Sequence, residues 1–261
     1  MFPQIPAGVS PAFYFVCVGL AVLITGIGKT GFGGGIGILA VPLMVAALPP
    51  QRALGITLEI FLLADVFANL HHMRRQSWPH FRWLLTGDVA GIAVASALMA
   101  WLSQTKAFAP ALSVTIGVVC LFFVGLQVYR LVGGHVPHIP RTPGAGRTTG
   151  LVAGVLSTMA NSAGSIVNIY LLEQQLDKSL IVGTAALFFF VNNLAKVPTY
   201  VSLGLINQAT LVDAMWTIPL IPVGSLLGYW LHRRIPEKPF VVVMYSGAAL
   251  AAVYAIYQGV V

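Results

Sequence analysis

The stretch Gly26-Ile27-Gly28-Lys29-Thr30-Gly31-Phe32-Gly33-Gly34-Gly35-Ile36-Gly37-Ile38-Leu39-Ala40-Val41-Pro42-Leu43 interrupts an otherwise apolar run from Ala12 to Leu48. Three consecutive glycines disfavour a continuous helix, because each loses more backbone freedom on ordering than any other residue. Lipid offers no hydrogen bonds, so irregular backbone at membrane depth is tolerated only where it is buried in protein or lines a cavity. A second apolar stretch, Gly150–Leu172, is interrupted in the same way at Ala160-Asn161-Ser162-Ala163-Gly164. Its arms of about a dozen residues reach roughly 18 Å, too short for a hydrocarbon core of about 30 Å. A hairpin that enters the membrane and returns on the same side is the expected form of each stretch.

The rest of the chain supplies the membrane context. Of 261 residues, 57% are hydrophobic and only 8% charged, with a mean hydropathy of +0.87. A soluble domain carries about a quarter charged residues, so a water-soluble fold is excluded and an all-α integral membrane protein expected. Apolar spans at Leu54–Asn69, Phe81–Leu102, Phe108–Tyr129, Leu180–Leu203, Thr210–Leu231 and Phe240–Gln258 each suit one crossing. The net charge of +7 fits basic loops on the cytoplasmic side better than a nucleic-acid partner. Cys17 and Cys120 lie singly inside apolar runs, without metal-binding spacing. The segment from Met1 to Ser10 has neither a basic start nor a cleavage signal, so Phe13–Thr25 is expected to remain as membrane segment.

The order of elements repeats. A hairpin followed by three helices occurs twice, with Thr25-Gly26 aligned to Ala153-Gly154 and Ser96–Leu102 to Ser225–Leu231. This predicts a first repeat over residues 1–132, a linker over 133–149 and a second repeat over 150–261. Arg74, Arg75, Arg82, Arg130, Arg141, Arg147, Lys178, Arg233, Arg234 and Lys238 fall on one side, against Arg52 and Lys106 on the other. With the basic side cytoplasmic, the repeats run in opposite directions, the linker is cytoplasmic and both termini are periplasmic. Inverted repeats of this kind place substrate sites at their interface, near the bilayer midplane.

The glycine-rich break followed by an apolar arm with Pro42-Leu43, echoed halfway along a chain of this size, resembles the TauE/SafE permeases, also called 4-toluenesulfonate uptake permeases. The resemblance covers essentially the whole chain and is sharpest at Gly33-Gly34-Gly35 with Pro42. The second copy departs from it, with Asn161-Ser162-Ala163-Gly164 where a glycine cluster would stand. The resemblance implies transport, often outward across the bacterial inner membrane, of small sulfur-containing anions such as sulfite or an organosulfonate like sulfoacetate.

The residues allow a mechanism to be drafted. Bare N–H groups at Gly33, Gly34 and Gly35, opening a half-helix over Gly34–Leu48, would face an anionic oxygen. Asn161 and Ser162 would do the same as helix-starting residues. Glycine clusters also permit close helix packing, the alternative reading for Gly33–Gly35 and the sole reading for Gly224 and Gly228. Lys29 and Lys196 lie within membrane segments, where an ionisable group is costly, and each can serve as counter-charge. Alternatively, Lys29 pairs with a carboxylate, or Lys196 snorkels outward; Pro198 is expected to kink its helix. Asp65 and Asn69 form an i, i+4 pair, with Asn192 and Lys196 at corresponding positions of the second half. Glu59 or Asp65 either fixes a lysine by ion pairing or carries a coupling proton, while Asp88 and Asp213, nearer helix ends, read as interfacial.

No histidine arrangement suits zinc, so neither a metal nor another cofactor is expected. Gly26–Thr30 lacks the spacing of a phosphate-binding loop, which argues against ATP hydrolysis. The expected partners are the anion, the bilayer and a proton or counter-ion. An anion channel without ion coupling and a membrane-embedded enzyme are the competing readings. The first would share the glycine break and lysines; against the second stands the lack of a nucleophile–base pair.

Overall fold

Apolar runs punctuated by Pro, Gly and small polar residues fold into helices because lipid and protein interiors leave the backbone no other economical way to pair its polar groups. The computed structural model describes residues 3, 5–31, 39–72, 75–134, 138–234 and 237–260. The helices are α1 (Pro11–Gly31), α2 (Ala40–Val45), α3 (Pro50–His72), α4 (Trp78–Leu102), α5 (Phe108–Leu131), α6 (Pro143–Ala160), α7 (Gly164–Glu173), α8 (Lys178–Ser202), α9 (Gln208–Thr217), α10 (Leu220–Arg234) and α11 (Glu237–Val260). No strand occurs among the described residues.

Local chemistry sets the helix ends. Proline opens α1, α3 and α6, where its missing N–H costs nothing. Thr142 caps α6 by accepting from the Ala145 N–H at 3.2 Å, and Asn207 and Thr210 form a reciprocal capping box at the start of α9. Gly204, at φ +70°, ends the turn after α8, a conformation that a side chain would strain.

Four helices among the described residues, α1 over Pro11–Gly28, α4, α5 and α8, are long and apolar enough to cross a membrane, and α9 with α10 adds a fifth as one bent span. Less than half of each of the four windows is buried within the protein. The remaining faces carry exposed Phe15, Val94, Phe122 and Leu194, as lipid contact requires. α3 differs. Residues Ala53 to Phe61 are buried without interruption, so this comparatively polar helix is enclosed by the others.

Two features depart from the sequence reading. The crossing expected over Thr210–Leu231 is bent by 45° between α9 and α10. Pro219, in the break, has no N–H to continue the ladder and its ring crowds the carbonyl of the preceding turn, while Ile218 itself keeps helical dihedrals, φ −50° and ψ −46°. The second half begins its helix at Pro143, so the linker's last residues join α6. That arm has 18 residues, or about 27 Å, and exceeds the dozen expected. α8, by contrast, runs continuously through Pro198.

Glycines set the helix pairing. α4 packs on α6, α1 on α10, α5 on α11, and α3 on α8. A Cβ at Gly87 or Gly91 of α4 would collide with the carbonyls of Arg147 and Leu151, and a Cβ at Gly150 or Gly154 of α6 with those of Leu84 and Asp88. The two backbones therefore touch along two facing small-residue pairs, the packing mode that membranes favour. Gly26 and Gly224 do the same between α1 and α10, where an added Cβ on Gly26 would lie 2.9 Å from the Ile221 carbonyl oxygen.

Candidate functional site

The interruption between α6 and α7 is where the polar chemistry collects. Asn161 ends α6 in the left-handed region, at φ 51° and ψ 34°, a conformation that asparagine tolerates better than most residues. Its N–H donates to the Ser157 carbonyl at 2.9 Å, and the Ser162 N–H reaches the Leu156 carbonyl at 3.3 Å. The expectation that Asn161 and Ser162 start the following helix is corrected here. Asn161 terminates α6, and α7 begins after Ala163 without a side-chain cap. The left-handed turn orients the Asn161 side chain across the protein, while the Ser162 hydroxyl donates locally to the Ala160 carbonyl at 2.8 Å.

Asn161 joins two helices of the interior. Its amide nitrogen donates to the Leu54 carbonyl of α3 at 3.1 Å, and its oxygen accepts from Lys196 Nζ of α8 at 2.8 Å. Lys196 is fully buried and does not snorkel outward. Its ammonium also donates to the Ser157 hydroxyl at 2.8 Å and the Ser157 carbonyl at 3.3 Å, and lies 5.9 Å from the Tyr200 ring centroid. The Tyr200 hydroxyl donates to the Thr158 carbonyl at 2.8 Å. A buried charge of this kind persists only with such partners.

The network continues to α4. Ser157 Oγ donates to Asn192 Oδ1 at 2.6 Å, and Asn192 Nδ2 donates to Asp88 Oδ1 at 2.7 Å. Asp88, expected at the interface, is fully buried. The close approach of α4 and α6 at Gly87, Gly91, Gly150 and Gly154 encloses it. The sequence-selected residues Asn161, Asn192 and Lys196 thus meet in one cluster, together with Ser157 and Asp88, which sequence reasoning did not select. The periodicity signal was available. Ser157 stands four residues before Asn161, and Asn192, Lys196 and Tyr200 recur every four on α8, each series on one face.

The carboxylates of α3 lie elsewhere along the same interior. Asp65 Oδ2 accepts from Asn193 Nδ2 at 2.6 Å, and Asn69 Nδ2 donates to the Asp65 carbonyl at 2.9 Å and the Ala186 carbonyl at 3.0 Å. This stitches α3 to α8. Glu59 Oε1 accepts from Thr210 Oγ1 of α9 at 2.8 Å. Asp213, also expected at the interface, is buried and ion-paired with Arg52, whose Nε donates to Oδ2 at 2.8 Å and whose Nη2 reaches the same oxygen. A recess of about 280 Å³ beside this pair is lined in part by Arg52, Asn207 and Thr210. Gly33, Gly34, Gly35 and the Lys29 side chain lie outside the described residues. Among the described residues, no three of His, Cys, Asp and Glu converge as a metal would require.

Lys196 is thus a buried cation held by the oxygens of Ser157 and Asn161 at the break between α6 and α7. No curated protein and no solved structure matches the chain. The family described as sulfite exporter TauE/SafE matches it over residues 18–255. With nearly its whole length covered, the chain belongs to the TauE/SafE family and is a multi-pass membrane transporter of the sulfite-exporter type.

Proposed function

We propose that the protein exports a small sulfur-containing anion, sulfite or an organosulfonate such as sulfoacetate, across the bacterial inner membrane by alternating access. The observation that carries this reading is the Lys196 ammonium, buried and held by Asn161 and Ser157 at the α6–α7 break. A sulfite or sulfonate group offers three oxygens, enough to accept from Lys196 while also meeting donors on another element. In this proposal, which for these residues rests on the sequence, Gly33, Gly34 and Gly35 would supply those donors as backbone N–H groups, with Lys29 as a second counter-charge and Ser162 beside Asn161. Asn192 positions the site by fixing Ser157. Glu59 and Asp65 hold α3 to its neighbours.

Alternating access in this protein uses two repeats of opposite orientation, over 1–132 and 150–261, joined by a cytoplasmic linker. Matching features support the repeat. Thr57 and Thr184 each return a hydroxyl to a carbonyl four residues earlier, at 2.6 Å in both cases. Gly55 and Gly183 each meet a carbonyl, of Leu205 and of Arg75. Ser77 Oγ and His80 Nδ1, 2.7 Å apart at the start of α4, correspond to Asn207 and Thr210 at the start of α9. Pairings also exchange between halves: α4 on α6 and α10 on α1. Two halves that can rock about α3 and α8 would expose the Lys196 region to each side in turn.

Counterflow in proteoliposomes tests the reading. Vesicles containing the purified chain and loaded with unlabelled anion are expected to accumulate labelled sulfite or sulfoacetate transiently, and to show saturation. A panel with sulfate, thiosulfate and taurine ranks substrates. Flux that never saturates would favour a channel, and no flux with any of the five would refute the proposal.

A further inference from the structure

The hydrogen-bonded chain that leaves Lys196 does not end at a neutral group. It runs from Lys196 Nζ to Ser157 Oγ at 2.8 Å, from Ser157 to Asn192 at 2.6 Å, and from Asn192 to Asp88 Oδ1 at 2.7 Å. Its direction is set at both ends, because an ammonium only donates and a carboxylate only accepts. Asp88 is fully buried, and its second oxygen, Oδ2, has no hydrogen-bond partner among the described residues. A carboxylate enclosed in this way with one bare oxygen costs several kcal/mol of solvation, a cost that its neighbours or a proton must offset. Asp88 lies in α4, one of the helices long enough to cross the membrane. Intramembrane carboxyl groups that face the protein interior are typical of proton relays.

We propose that Asp88 is the proton-carrying group of this transporter, linked to the anion at Lys196 through Asn192 and Ser157, so that anion and proton bind together. The inference rests on the transport reading above and adds to it the identity of the coupling group. α4 is packed mainly on α6 and α8. From α8, the charged group facing Asp88 is Lys196, whose ammonium interacts with it electrostatically; Lys178 lies at the far end of that helix. From α6 come Ser157 and the glycines Gly150 and Gly154, while Arg147 presents its carbonyl to Gly87 and its side chain is exposed. With no anion, Lys196 stabilises the ionised carboxylate. An anion at Lys196 cancels that positive charge, and Asp88 then takes up a proton from a solvent hydronium at Oδ2, one O–H bond of the hydronium breaking as the carboxylic acid O–H forms and leaving water. By linkage, the proton raises the affinity for the anion by the same factor. The complex crosses with both, and release of anion and proton on the other side returns Lys196 and Asp88 to their charged pair; an outward gradient of the anion then drives export, while a proton gradient alkaline inside drives the same cycle in reverse, the direction that vesicles read.

The test compares the full-length wild type with Asp88→Asn in proteoliposomes, using labelled sulfite. Asparagine keeps an oxygen for Asn192 but cannot carry the proton. Asp88→Asn is expected to lose the pH dependence of sulfite exchange that wild type shows when the pH is equal on both sides. It is expected to lose the accumulation that wild type shows in vesicles alkaline inside. Sulfite speciation is the same for both proteins, so it cancels in the comparison. Accumulation by Asp88→Asn at the wild-type level would overturn the inference, as would a pH dependence of exchange unchanged from wild type in a variant that remains folded by size-exclusion chromatography and circular dichroism. An absence of exchange in the wild type would instead refute the transport reading, and the inference with it. If Asp88→Asn does not fold, infrared difference spectra of the wild type decide. Adding sulfite at constant pH is expected to raise a carboxylic acid C=O band that shifts in Asp88→Glu; no such band would overturn the assignment.

Discussion

Lys196 Nζ lies 2.8 Å from Asn161 Oδ1, so a charge on one helix is held by the residue that ends another in a left-handed turn. The geometry ties the position of this ammonium to a backbone feature. Replacing Lys196 with Met keeps the length of the side chain and removes the charge. A hydrogen bond to a charged group contributes about 1.5–3 kcal/mol, so sulfite affinity is expected to fall by about 10- to 100-fold. Ser157 still bonds to Asn192, and the fold is retained. Isothermal titration with sulfite measures the loss, and unchanged affinity would remove Lys196 from the site.

Substitutions at Asn161 separate its backbone role from its side-chain role. Glycine at this position accepts the left-handed conformation freely, whereas alanine is strained there by about 1 kcal/mol or more. Asn161→Ala is therefore expected to unfold at lower temperature than Asn161→Gly, although both lose the bonds to Lys196 and Leu54. Asn161→Asp keeps the shape and places a negative charge against the ammonium. It is expected to act as a resident anion, binding sulfite far more weakly than wild type while melting no lower than Asn161→Gly. Melting curves in detergent, with parallel sulfite titrations, check both statements. Equal stability of the alanine and glycine variants would argue that the turn is not strained.

Much of this arrangement is legible in the sequence because membrane proteins obey few and strong constraints. Continuous apolar runs mark the main helices, and the interruption at Ala160–Gly164 marks the break between α6 and α7. Lys196 stands out because a lysine in an apolar helix must have partners. Asn161 stands out for a different reason from the one the structure gives it, since a polar residue at a break can close one helix or open the next and only backbone dihedrals distinguish the two. Asp88 and Asp213 are misplaced when distance along a helix serves as a proxy for depth. The Gly87 and Gly91 contacts on α6 bury Asp88, and Arg52 reaches Asp213 across 161 residues of sequence. Neither contact has a local signature. The bend at Pro219 is readable in principle, for a proline inside an apparent helix is the commonest cause of a break.

The α4–α6 contact predicts a steric cost. A Cβ at Gly150 would collide with the Leu84 carbonyl, and at Gly154 with that of Asp88. Both obstacles are backbone atoms, which cannot rotate away. Gly150→Ala is expected to force the helices apart and destabilise the protein by about 1–3 kcal/mol, the usual cost of overpacking. Gly125, where an added Cβ meets nothing within 4 Å, serves as the control, and Gly125→Ala is expected to stabilise α5 slightly through helix propensity. Thermal unfolding of the two variants in detergent tests the contrast; equal melting temperatures would mean that the α4–α6 seam yields.

Arg52 and Asp213 invite a double-mutant cycle, because one partner is buried deeper than the other. The Asp213 side chain has no exposed surface, while Arg52 retains 18%. Removing the guanidinium in Arg52→Gln leaves a buried carboxylate without its counter-charge, and breaking such pairs costs about 3–5 kcal/mol. Solvent reaching Arg52 places the expected loss toward the lower end, about 3 kcal/mol. Asp213→Asn leaves a cation that can turn toward water and is expected to cost less. The double variant Arg52→Gln with Asp213→Asn is expected to recover much of the first loss, since no charge is then stranded, giving a coupling free energy well above the roughly 0.5 kcal/mol of unlinked sites. Because the pair ties the start of α3 to α9 beside the recess at Asn207 and Thr210, the single variants are also expected to change exchange rates more than sulfite affinity. Simple additivity of the two substitutions in melting experiments would show that the pair contributes nothing specific to the fold.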